Sequence, residues 1–416
     1  GLGDVYKRQI FDRYFEKNPL KFFPDFPDRL ALIIVIPVFD DPDIFRTLNS
    51  LLNCRVDDKV GIILVVNHAE HCEEELKKRN SRLYEELKDF FKNSPVRGIY
   101  GNVFPAFDLP SKQAGVGMAR KIGMDAAAWY FWQIGNEKGG IASLDADTLV
   151  DVDYCRELIA CFAKTNYAGI TIAYEHVFPD AAEERTGIMK YELYLRYYRL
   201  ALLYIGHPYA YSCLGSAFAV RAEDYVAQGG MNKKQAGEDF YFIQKLIATG
   251  RFAHLNRVKV YPAGRISERT PFGTGQVVLQ IVKQGGIYDT YHVGAFEVLK
   301  PFFRDIPLLY KADAAQIKKY RERQEICLQH FLEANDFVGM VVELNANCAA
   351  PKLFLKRFFD KFNAFRVLKY LNYVHPFYFQ KQAVEIAAGG LLEKMTAEPI
   401  SRDLPDLLTA YRKRDI

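Results

Sequence analysis

The chain has no C-x-x-C pair and no apolar run of the roughly 18 residues that a bilayer-spanning helix needs. It also has little net charge: +4 over 416 residues, which gives little support to a nucleic-acid partner, since such binders usually show a concentrated basic face. Its seven cysteines (Cys54, Cys72, Cys155, Cys161, Cys213, Cys327, Cys348) are odd in number, and several sit in apolar stretches. That is the pattern of free, mostly buried thiols in a reducing compartment. His68, His71 and Cys72 lie close together, but no second ligand pair with zinc-finger spacing follows them. The start lacks the basic, apolar and small-residue regions of a signal peptide, so a cytoplasmic location is expected. It also lacks an initiator Met. Residues 1–9 resemble translated sequencing-adapter sequence and are set aside from fold reasoning, within an N-terminal extension over 1–28. No internal repeat or low-complexity tract stands out.

What is present is ordinary in bulk and informative in order. Half the residues are apolar and a quarter charged, as in soluble globular proteins, while aromatics reach a high 14%. Short apolar runs at Leu30–Ile36 and Gly61–Val66 read as buried strands, with a third strand at Gly98–Phe104 and others at Gly140–Leu144 and Ala168–Tyr174. Helical spacing fills the gaps: Asp43–Asn53, Glu73–Lys92, Gly115–Gln133 and Val152–Lys164. Strands alternating with helices imply βαβ units and a mainly parallel sheet, whose ligands bind beyond the carboxyl ends of the strands. Asp40, Asn67 and Asp145 each fall at or just past such an end. After about residue 265 comes a segment rich in Gly, Pro and Arg, and residues 311–416 read as mostly helical.

Three D-x-D triplets occur, at Asp41/Asp43, Asp145/Asp147 and Asp151/Asp153. Only Asp145/Asp147 directly follows a small buried strand. Asp151 and Asp153 open the next helix, where capping is the expected role. Two carboxylates at i and i+2 on a turn can face one pocket, and hard oxygen ligands suit Mg²⁺ or Mn²⁺. Such an ion takes its remaining ligands from water and substrate phosphates and neutralises charge on a departing diphosphate. The bland alternative is a turn with two capping aspartates.

These residues resemble the family 2 glycosyltransferases of the GT-A fold. Ile36-Pro37-Val38-Phe39-Asp40-Asp41 is similar to the family's opening element after its first strand, and Val65-Val66-Asn67 to its second nucleotide-contacting strand end, with Asn67 in place of the usual Asp. Gly115-Val116-Gly117-Met118-Ala119-Arg120-Lys121-Ile122-Gly123 resembles the G-x-x-x-A-R-N-x-G helix start, with Lys121 replacing Asn. Ser143–Asp147 matches the metal motif. Gly215–Arg221, Gly229-Gly230 and Gly237-Glu238-Asp239-Phe240 are similar to the acceptor half, which ends in an E-D pair. The likeness covers residues 30 to 262, and the Q-x-x-R-W element of processive polysaccharide synthases is missing.

The resemblance implies a GT-A α/β domain over 29–265, a closing segment over 266–310 and a helical C-terminal region over 311–416. It further implies transfer of a sugar from a nucleotide-diphosphate donor to the hydroxyl of a saccharide or lipid-linked acceptor, with inversion. Pro37, Asp40, Asn67, Arg120, Lys121 and Asp145 would meet the donor, and Arg265 and Arg269 would close over its diphosphate. Asp145 and Asp147 would hold the metal, with His292 as a third ligand. Asp239 would act as general base and Glu238 would orient the acceptor. Each has a structural alternative: Asp40 and Asp239 as helix-start carboxylates, His292 as a satisfied core histidine, the arginine loop as plain surface. The basic-aromatic stretch Lys352–Tyr373 reads as a core stripe with lysines outside or as a helix lying on a membrane. A sugar nucleotidyltransferase would carry a Gly-rich basic loop after the first strand, where this chain has Pro37–Asp41. A non-catalytic carbohydrate-binding or scaffold protein stays open, because of Asn67 and Lys121.

Overall fold

The computed structural model describes residues 2–26, 29–232, 237–267 and 273–414, with side chains from Gln9 onward. Two compact units emerge. The first takes residues up to Val177 and then Cys213–Ala263, and the second takes Phe178–Ser212 and the chain from Gly264.

In the first unit, α1 (Leu2–Lys17) precedes β1 (Leu32–Val38), α2 (Ile44–Leu52), β2 (Val60–Ala69), α3 (Glu74–Asn93), β3 (Ile99–Leu109) and α4 (Val116–Gln133). Two short strands, β4 (Gly140–Ser143) and β5 (Thr148–Val150), flank the Asp145-Ala146-Asp147 turn, and α5 (Tyr154–Lys164) and β6 (Gly169–Tyr174) follow. The chain then gives α6 (Ala182–Tyr204) to the second unit and returns as β7 (Phe218–Arg221), α7 (Ala222–Ala227), α8 (Glu238–Ile247) and β8 (Phe252–Pro262).

The eight strands form one sheet in the order β3-β2-β1-β4-β7-β6-β8-β5. β3, β2, β1 and β4 run parallel, as do β6 and β8, whereas β7 is antiparallel to both its neighbours and β5 is antiparallel to β8. This mixed, mainly parallel α/β sheet is the one the GT-A resemblance implies. β1 is buried at every position, which accounts for its unbroken apolar run. It continues through Pro37 because β4 pairs only as far as Val35, so Pro37 faces a single partner strand. β3 likewise runs past Pro105 to Leu109, further than its apolar run suggests, because it lies at the sheet edge. On the face covered by α4, a Cβ at Gly123 would lie 2.4 Å from Val35 Cγ1, so the glycine lets the helix lie close against β1.

The second unit is built around α6 and the helices α9 (Thr274–Lys283) and α10 (Val293–Asp305). Between these two helices lies β9 (Asp289–Thr290), which pairs with β10 (Gln382–Ala383). A bundle follows: α11 (Ala314–Glu322), α12 (Ile326–Ala334), α13 (Phe337–Asn347), α14 (Pro351–Lys361), α15 (Ala364–Val374), α16 (Val384–Thr396) and α17 (Leu404–Arg412). From the Lys352–Tyr373 stretch, Phe354, Phe358, Phe362 and Leu371 enter the core, Phe359 and Leu368 pack against it, and Phe365 stays exposed. The stretch is therefore chiefly a core stripe with its lysines outside. No helix among the described residues is long and apolar enough to cross a membrane.

Candidate active site

The site grows from the carboxyl ends of β1 and β4. β4 is four buried residues long, and the turn after it is closed by Thr148 N–H donating to the Asp145 carbonyl at 3.2 Å. Ala146 is buried, while Asp145 and Asp147 on either side are half-exposed. Ser143 Oγ donates to the Gly215 carbonyl at 2.7 Å, tying the segment before β7 to the end of β4.

Arg120 occupies the centre. It projects from the second turn of α4 and is 2% exposed, an expensive place for a cation unless it is paired. One terminal nitrogen donates to Asp145 Oδ1 at 2.7 Å and the other is bonded to Glu238 Oε1. Burial works against its charge, but attraction from Glu238, Asp145 and Asp239 more than offsets this and its pKa is raised. Its Nε is buried without a hydrogen-bond partner among the described groups. A Cβ at Gly215 would lie 2.7 Å from the Arg120 guanidinium and 3.1 Å from Asp239 Oδ2, so Arg120, Gly215 and Asp239 enclose one point.

Glu238 and Asp239 open α8, where Asp239 Oδ1 accepts from Phe240 N at 2.7 Å. Burial raises the pKa of the Asp239 carboxyl, with Arg120 pulling it back down. Glu238 follows the same order of causes: burial raises, Arg120 lowers, Asp239 raises. A buried acid and a half-buried one beside a buried cation form a site that can accept and hold a proton.

The remaining expected residues are distributed more widely. Pro37 is the penultimate residue of β1, in register with Val65. Asp40 adopts φ 45° and its carboxylate is gripped by Arg79, with Nε at 3.1 Å and a terminal nitrogen at 2.9 Å. Asn67 is buried and spends its amide N–H on the Val38 carbonyl at 3.0 Å, linking the ends of β1 and β2. Lys121, one position round the helix from Arg120, is drawn elsewhere: its ammonium donates to Asp125 at 2.9 Å and to Tyr14 at 3.0 Å in a buried cluster that Tyr225 completes. His292 lies in the second unit at the N-cap of α10, where its Nδ1 accepts from Gly294 N at 3.0 Å. Arg265 also belongs to the second unit, and Arg269 lies outside the described residues.

Asp153 stands at the N-cap position of α5 without a side-chain capping bond, and the Asp151 side chain is directed elsewhere. Asp151 accepts from Lys259 N at 2.7 Å and Tyr261 OH at 2.8 Å, because β5 delivers it against β8, and Asp153 pairs with Arg156 at 2.9 Å. One further residue escaped sequence reasoning. Asn80 of α3, fully buried, donates to the Asn67 carbonyl and accepts from Asp40 N at 3.0 Å, bracing both strand ends. An asparagine amid a charged helix carries no signal of that duty.

Among the described residues no group of three or more His, Cys, Asp or Glu is placed to hold a metal ion by itself. Asp145 and Asp147 supply two hard oxygen donors on one turn. That donor set fits a Mg²⁺ or Mn²⁺ that completes its shell with water and substrate oxygens.

No curated protein matches the chain in sequence. Similar solved structures include S. aureus TarS 1–349 in complex with UDP-GlcNAc, at 10% identity and TM-score 0.40 over 80% of this chain and 93% of that one. Another is the mannosyltransferase PcManGT from Pyrobaculum calidifontis in complex with GDP-Man and Mn²⁺, at 11% identity and TM-score 0.37 over 99% and 92%. Likeness at such scores carries no conclusion about ligand or chemistry. Residues 140–292 match the family described as glycosyl transferase family group 2. That matched segment carries Asp145, Asp147, Gly215, Glu238 and Asp239.

Proposed function

We propose that the protein transfers a sugar from a nucleotide-diphosphate donor to an acceptor hydroxyl with inversion. The observation that carries this reading is the cluster of buried Arg120 and Glu238 with the half-buried Asp145 and Asp239 around Gly215. It draws the expected donor-side carboxylate and the expected base together from three separate elements. Asp145 and Asp147 would hold Mg²⁺ or Mn²⁺, which supplies charge neutralisation at the donor diphosphate. Asp239 takes the acceptor's hydroxyl proton as the acceptor oxygen bonds to the anomeric carbon and the bond to the diphosphate breaks. Glu238, held by Arg120, orients the acceptor.

The second reading, a carbohydrate-binding or scaffold protein, draws on Asn67 and Lys121, whose polar groups serve internal contacts. Transfer assays with a panel of UDP- and GDP-sugars and Mn²⁺ separate the two. Asp239→Asn is expected to cut turnover by about 10²–10⁴-fold while donor affinity persists. Asp147→Ala is expected to lose Mn²⁺-dependent activity, and unchanged activity in that variant removes the metal role. Full turnover in Asp239→Asn removes the base assignment, and no thermal shift with any donor favours the scaffold.

A further inference from the structure

We infer that Thr47 is a positioning residue for the Asp145-Ala146-Asp147 turn: its hydroxyl fixes the carbonyl between the two carboxylates and so sets the geometry in which they hold a divalent cation. The inference rests on the metal-binding reading of that turn and assigns a residue that the D-x-D pattern does not contain.

Thr47 lies on α2, is fully buried, and donates from Oγ1 to the Ala146 carbonyl at 2.8 Å across 99 residues of chain. The contact belongs to a series. Thr47 and Ser50 lie one turn apart on α2, and Cys54 follows just past its C-terminal end. Ser50 Oγ accepts from Val150 N at 3.3 Å, and Cys54 Sγ approaches the Asp151 carbonyl at 3.5 Å. These three small polar side chains stitch the helix to the turn, to β5 and to the approach to α5.

The turn needs an external anchor at that point. Its internal bond, Thr148 N–H to the Asp145 carbonyl, leaves the Ala146 carbonyl for another donor. Ala146 is the turn residue that faces inward, 6% exposed, between two half-exposed carboxylates. Fixing its peptide group fixes the directions in which Asp145 and Asp147 leave the backbone. Thr47 and Asp147 also line the same small cavity, together with Asp43, Arg46 and Leu149, so the hydroxyl lies beside one of the two proposed ligands, while Asp145 turns towards Arg120. Partners of this kind, behind the ligands themselves, commonly set metal affinity over one to two orders of magnitude.

The test is Mn²⁺ binding by the full chain without donor, followed by electron paramagnetic resonance of the free ion, with thermal unfolding measured in parallel. Thr47→Val keeps the shape and removes the donor, and is expected to weaken Mn²⁺ binding about ten-fold. Thr47→Ser keeps the hydroxyl and is expected to bind as wild type. Should the valine variant fold poorly, Thr47→Ala carries the same expectation. Unchanged Mn²⁺ affinity in the folded valine or alanine variant, with Asp147→Ala weakened, overturns this inference alone. Failure of the wild type to bind Mn²⁺ saturably overturns it together with the metal-binding reading.

Discussion

Gly215 has a guanidinium on one side and a carboxylate on the other, and the space it leaves is smaller than a methyl group. Adding one in Gly215→Ala must push Arg120 or Asp239, and Arg120 is already held by Asp145 and Glu238. Turnover is therefore expected to fall about 10- to 100-fold from displacement of the reacting groups, with Tm nearly unchanged. Steady-state kinetics beside a melting curve checks both halves. Asp239 adds a pH signature. The carboxylate is the form that accepts a proton, and burial raises its pKa above the ordinary aspartate value. Activity should thus be full above that raised pKa and lost as pH falls through it, at higher pH than an exposed aspartate would give. Arg120→Gln removes the group that pulls the value down, so its acid limb should move further up in a profile of kcat/KM against pH. At this scale the sequence points to the side chains proposed to do chemistry and hides those that hold them. Asp145, Asp147 and Asp239 are legible from motif and order. Asn80 and Thr47 are not, because a buried hydrogen bond across tens of residues leaves no local pattern.

Elements were legible where burial or period is uniform and illegible where pairing reverses. β1 and β2 announce themselves as unbroken apolar runs because both faces of a parallel sheet are covered. β5, three residues long, gives no such signal, and neither does the antiparallel placement of β7 between β4 and β6. Helical spacing likewise marks the C-terminal helices without showing which aromatic stands at their centre. Phe302 of α10 does: its ring lies 5.5 Å from Phe362, 5.6 Å from Phe337 and 5.9 Å from Tyr320, and it is fully buried. Phe302→Ala removes a ring with partners on α11, α13 and the end of α14, and such truncations cost about 3–5 kcal/mol. Denaturant unfolding should show that loss. An effect below about 1 kcal/mol would mean that the surrounding rings collapse into the space.

At the scale of the molecule, neither unit is a continuous stretch of chain. The first is interrupted by residues 178–212, and the matched family segment 140–292 runs through both. α6 shows what that entails. Its Leu193, Tyr197, Ala201 and Leu202 belong to the core of the second unit, and Tyr197 OH donates to the Tyr291 carbonyl at 2.8 Å. On the same helix Glu192 is fully buried and is reached by Arg412 at 2.8 Å. A chain truncated after Ala263 keeps α6 but loses Tyr291, Arg412 and the helices that cover its apolar face. It is left with an uncovered hydrophobic stripe and a carboxylate deprived of the Arg412 cation, a combination that promotes association. Such a fragment is expected to aggregate, and co-expression of residues 264–416 is expected to restore solubility. Size-exclusion chromatography of the two preparations decides the matter. A monomeric fragment with a single cooperative unfolding transition would show that α6 finds adequate cover within residues 1–263, and that the second unit is dispensable for folding the half that carries Arg120, Asp145 and Asp239.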